Sequence, residues 1–161
     1  MRANCCDVNE KALQRAKKTR SAIVWLRSLL VLSHVARMNK YRSMTVWQRS
    51  HALVMVALKT TDKAYHPKSR GLFDQLRRAA ISVEANLVEG YALGTPLQFR
   101  RHLRIAIGSA AETECLIRIA DEAEYLPKGA VAEMAVLLDE ILALLFTLIR
   151  RTTRTVTQTR T

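Results

Sequence analysis

Between residues 71 and 114 the chain carries two helical patterns, GLFDQLRRAAISVEANLVEG and QFRRHLRIAIGSAAETE, separated by a short Gly-Pro break. In the first, Gln75, Arg78, Ser82, Asn86 and Glu89 recur at steps of three and four. On a helix, that spacing places all five on one face. Beside them runs an apolar line, Leu72, Leu76, Ala79, Val83 and Leu87. A helix with a dry stripe next to an ordered polar stripe needs partners on two sides.

The same periodicity extends in both directions. Trp47, His51, Val54, Leu58, Thr61 and Tyr65 predict a first helix over 45–65, ended by His66-Pro67 because the residue before proline avoids the α region. The second helix, over 69–89, is expected to stop at Gly90 as its left-handed cap. Thr95 is the expected N-cap of the third, with Pro96 at its first helical position. That helix carries Phe99, Leu103, Ala106, Ile107, Ala110 and Ile117 and fades near Glu124, and Pro127 starts the fourth. In the fourth, Val131, Met134, Leu138, Ile141, Leu145 and Leu148 keep the three-four alternation of a coiled-coil seam. Leu137, Leu144 and Phe146 add apolar surface beyond it, which predicts burial against a second subunit. Long helices with short breaks imply antiparallel neighbours. The expected fold is therefore all-α, an up-down-up-down four-helix bundle that self-assembles.

At 161 residues one domain is expected, with a real core. The net charge of +12 sits in the tails: residues 1–43 hold ten Lys/Arg and two acids, and 150–161 hold four Arg and no acid. Residues 44–149 balance at twelve of each sign. Basic tails could attract phosphate where the neutral bundle would not, and they could equally be solvated extensions. The expected organisation is an N-terminal extension over 1–37, the bundle over 38–150 and a disordered basic tail over 151–161. The apolar run at 21–36 is interrupted by Arg27 and His34 and is too short to span a membrane. Three readings of the extension stand open: upstream sequence ahead of a true start at Met38 or Met44, a docking amphipathic helix, or a targeting segment. Three cysteines make no disulfide framework, so a reducing cytoplasm is the expected compartment.

The order of marks along the chain resembles a known family. They are Val46-Trp47-Gln48, Gly71-Leu72, Gln75-Leu76-Arg77-Arg78-Ala79-Ala80-Ile81-Ser82, Asn86-Leu87-Val88-Glu89-Gly90, Phe99, Leu103, Ile105-Ala106-Ile107-Gly108-Ser109, Glu112 and Tyr125-Leu126. Over about 40–149 they resemble the four-helix-bundle proteins encoded by intervening sequences in bacterial 23S rRNA genes. Val88, where that family usually has alanine, and Ala110-Ala111 depart from the pattern, and nothing upstream of Met38 matches. The resemblance implies a homopentameric ring and no established enzymatic activity. A related group, the accessory variability determinants of diversity-generating retroelements, are basic pentamers that bind nucleic acid and a reverse transcriptase.

Candidate sites follow from residue type. The stripe Gln75, Arg78, Ser82, Asn86, Glu89 is read first as structural, with Arg78 paired to Glu112 or Glu89 and Asn86 bonding to the third helix; it could also face a pore or partner. Gly108-Ser109 inside a helix points to close helix approach or, less readily, a ligand against the backbone. Arg77, Arg78, Arg100, Arg101 and Arg104, with Arg150 and Arg151 of the tail, are the nucleic-acid candidates, because the guanidinium fork matches phosphate. No Glu-x-x-His pair suggests a di-metal bundle, no histidine is placed to activate Ser82 or Ser109, and there is no Gly-rich phosphate loop. The expectation is a non-enzymatic scaffold with no cofactor or metal and no membrane partner. Its partners would be itself, RNA or a ribonucleoprotein, with a protein-interaction ring or a reverse-transcriptase accessory factor as alternatives.

Overall fold

The computed structural model describes residues 39–64 and 66–158, with side chains through Thr152. The expected 1–37 extension and Tyr65 lie outside them. A 3₁₀ turn at Asn39–Ser43 leads into helix α1 (Thr45–Lys63). Helices α2 (Arg70–Ala92), α3 (Pro96–Glu122) and α4 (Lys128–Gln158) follow. No helix among the described residues is long and apolar enough to cross a membrane.

Each helix packs against two neighbours: α2 lies against α1 and α3, and α4 against α3 and α1. Cross-helix contacts give the directions. His51 meets Glu84 while Thr61 meets Arg77, and Gln75 meets Glu112 while Asn86 meets His102. Numbers rise on one helix as they fall on the next, so α1 with α2 and α2 with α3 run antiparallel. Residues 123–127 reverse the chain again into α4, with Glu124 at φ 56°. The shared core is Leu53, Phe73, Leu76, Leu87, Leu103, Met134, Leu138, Ile141 and Leu145, all essentially inaccessible to water.

The breaks are chemical. His66 Nδ1 accepts from the Lys68 amide at 3.2 Å and Ser69 Oγ from the His66 amide at 3.3 Å, a reciprocal cap that closes the Pro67–Ser69 turn before α2. Thr95 caps α3 as expected, its Oγ1 accepting from the Gln98 amide at 3.3 Å, with Pro96 at the first helical position. Tyr41 lies edge-on to Trp47 at 5.5 Å and to Tyr91 at 6.4 Å, which holds the turn before α1 against the end of α2.

Three expectations need correction. The buried face of α1 is Val46, Ser50, Leu53, Val54, Ala57 and Thr61. His51 is exposed and Trp47 and Leu58 are half-buried, so the helix is rotated from the stripe drawn through its large side chains. Ser50 and Thr61 can face the core because their hydroxyls donate to the Val46 and Ala57 carbonyls at 2.8 and 2.7 Å. Gly90 is not a cap: the helix runs on to Ala92, and the left-handed residue is Gly94 at φ 70°. Gly90 is buried where α3 comes closest, since a Cβ there would lie 2.7 Å from His102 Cβ. Finally, α4 continues through Gln158, past the expected boundary near Arg150. No Gly or Pro follows Gly129 to stop it.

Candidate nucleic-acid interface

The polar line of α2 forms one hydrogen-bonded seam with α3. Ser82 and Ser109 hydroxyls meet at 2.8 Å. Asn86 Nδ2 donates to the Ser82 carbonyl at 2.8 Å and to its hydroxyl at 3.1 Å. Its Oδ1 lies 3.2 Å from His102 Nδ1, which is 3.8 Å from Glu89. One to two turns away, Gln75 Nε2 donates to Glu112 at 2.6 Å and Gln75 Oε1 accepts from Arg78 at 2.6 Å. The stripe's groups therefore satisfy one another and their neighbours across α3.

Two details differ from expectation. Arg78 reaches Glu112 through Gln75 rather than directly, because the amide accepts on one side and donates on the other. His102, absent from the expected stripe, is buried and closes the seam at its far end. The signal was the four-residue spacing of Ser82 and Asn86 facing the only histidine of α3.

Gly108 and Ser109 separate in function. Ser109 is buried and bonds to α2, whereas a Cβ on Gly108 would meet nothing within 4 Å. The close approach expected at Gly108 is not made inside this protomer; of the two glycines, Gly90 is the one that faces the neighbouring helix.

The arginines divide into two groups. Arg77 lies in the α1–α2 groove with its side chain 24% exposed. Its Nε donates to Thr61 Oγ1 at 2.7 Å, and its terminal nitrogens reach Asp62 at 2.6 Å and Asp74 at 3.7 Å. That guanidinium is already neutralised. Arg78 is exposed but tied to Gln75, and both sit level with Glu112, away from the start of α3.

Arg101 and Arg104 are exposed on the first turns of α3, with Arg100 half-buried beside them. The α3–α4 reversal brings the end of α4, with exposed Arg150 and Arg151, to the same end of the bundle. Arg100, Arg101, Arg104 and Arg150 form no ion pair among the described residues. Residues 96–104 and 140–152 together hold five Arg and one acid, Glu140, and Glu140 is engaged by Arg49 at 2.7 Å. The opposite part of the same hairpin, residues 105–139, holds seven acids and two basic residues. The α3–α4 hairpin thus carries a cationic end and an anionic end, and an anion is attracted to the first.

No group of three His, Cys, Asp or Glu among the described residues is placed to hold a metal ion. With this geometry in place, the sequence matches the family model described as 23S rRNA-intervening sequence protein over residues 42–147. No curated protein matches the chain.

Proposed function

This chain belongs to the 23S rRNA-intervening sequence protein family, and on that footing we propose that it is a non-catalytic, self-assembling scaffold that associates with RNA through the cationic end of its bundle. The observation that carries this is the set Arg100, Arg101, Arg104 and Arg150, gathered from two helices and left without carboxylates among the described residues. Uncompensated arginines on one end of a neutral body are where phosphates release counterions on binding. Self-assembly is supported by Val136 and Phe146, 60% and 49% exposed on α4 outside the core seam. A ring of five is the assembly that the family resemblance implies.

The test is light-scattering mass and binding of the full chain with a structured RNA hairpin, at 50 and 200 mM salt. Association that weakens by orders of magnitude over that range, and is lost on reversing Arg101 and Arg150 to Glu, supports the proposal. Assembly indifferent to RNA overturns it and leaves a protein-interaction ring. That alternative draws on the polar seam, whose hydrogen bonds run within α2 and between α2 and α3.

A further inference from the structure

Gly108 has no reason within its own protomer to be glycine. It is exposed in the middle of α3, and a Cβ there would meet nothing within 4 Å. Glycine in a helix interior is less stable than alanine, so a position that could hold alanine freely gives up stability by not doing so. The same outward face carries Leu97, Ile105 and Ile119 at 62%, 42% and 46% exposure, with exposed Arg101, Arg104, Ala111 and Cys115 between them. Small residues flanked by larger apolar ones let a second helix approach closely.

The face is also self-complementary about Gly108. Four residues before it stands Arg104 and four after it Glu112; three before and after stand Ile105 and Ala111; eleven before and after, Leu97 and Ile119. When α3 is laid antiparallel on a second α3 with the two Gly108 opposed, each Arg104 meets the other copy's Glu112. Each Ile105 then fills the space over an Ala111, and Leu97 meets Ile119. A parallel arrangement would oppose Arg104 to Arg104. Arg104 forms no ion pair among the described residues, and Glu112 uses only its Oε1, toward Gln75. A twofold contact requires this reciprocity, in which residue i meets j and j meets i.

We propose that the outer face of α3 binds a second copy of this chain across a twofold axis at Gly108. The contact deepens the self-assembly part of the function proposed above; it engages Arg104, so in the paired state the RNA-facing set is Arg100, Arg101 and Arg150. Acting alone it makes a dimer; joined to a ring it doubles the ring.

The test uses the full chain with Cys5, Cys6 and Cys115 changed to Ser. Gly108→Cys in that background should give a disulfide-linked dimer under mild oxidation, since a twofold axis at this residue brings the two thiols together. Gly129→Cys, exposed at the start of α4, should not. In the unmodified chain, Gly108→Leu should weaken copy-to-copy affinity roughly tenfold or more with helical content retained, and Gly108→Ala should weaken it to a smaller degree. Cross-linking of both cysteine variants to the same extent, or of neither, overturns the contact. So does a Gly108→Ala protein that melts higher with its mass unchanged. An assembly that persists in the face of these results would keep the self-assembly proposal and refute only this interface.

Discussion

A β-carbon on Gly90 would sit 2.7 Å from His102 Cβ and 3.2 Å from the Phe99 ring. Alanine favours helix over glycine by about 1 kcal/mol, so propensity alone would stabilise Gly90→Ala. The clash with a tightly packed neighbour decides the sign: the variant should lose about 1–3 kcal/mol, read from urea unfolding. Ser82 is the second sensitive residue, serving both Ser109 and Asn86. Ser82→Ala should cost about 1–2 kcal/mol because it strands partly buried partners. Adding Ser109→Ala should cost less than the sum of the single changes, and a double-mutant cycle measures the difference. Sequence spacing identified the stripe as one face of one helix. It could not show that Gln75 relays Arg78 to Glu112, or that His102 closes the seam. Those pairings depend on how far α3 slides along α2, and no local pattern encodes that slide.

Among the helices, Arg77 works as a tie between α1 and α2, contacting Thr61 and Asp62 from one and Asp74 from the other. Arg77→Met keeps the stem and removes the charge. It should lower unfolding stability by about 1–2 kcal/mol through the lost charged hydrogen bonds and leave RNA affinity unchanged in a binding titration. An Arg77→Met protein that folds normally but fails to bind RNA would place this residue back in the interface. The helix spans were largely legible: Pro67, Thr95-Pro96 and Pro127 mark real breaks, and the seam of α4 is buried or half-buried as its alternation predicts. The rotation of α1 was not. Its buried face uses Ser50, Ala57 and Thr61, small or self-bonded residues that a search for large apolar side chains passes over. Gly90 was misread for a related reason, since a glycine needed for close packing and a glycine needed for a left-handed turn look identical in sequence.

Taken whole, the molecule separates charge lengthwise only along its α3–α4 hairpin, and residues 44–149 sum to zero. If RNA binds the cationic end, the logarithm of affinity should fall linearly with the logarithm of salt concentration. Reversing Arg101 or Arg150 should flatten that slope by about one for each phosphate contact removed. Arg78, level with Glu112 and bonded to Gln75, should change the slope little. A slope unaltered by all three reversals would mean that the charge lies elsewhere in the chain.

The sequence by itself determined that the described residues form four α-helices, where the breaks between them fall, which residues line the α4 seam, and to which family the chain belongs. These properties are written in short-range periodicity, in prolines and caps, and in the order of marks along the chain, all of which are local. The tertiary structure alone decided which arginines are spent on internal carboxylates and which remain, which glycine is needed inside the protomer and which is not, and how the polar seam pairs. Those outcomes depend on the rotation and register of one helix against another, and the many weak contacts of the entire core set both together.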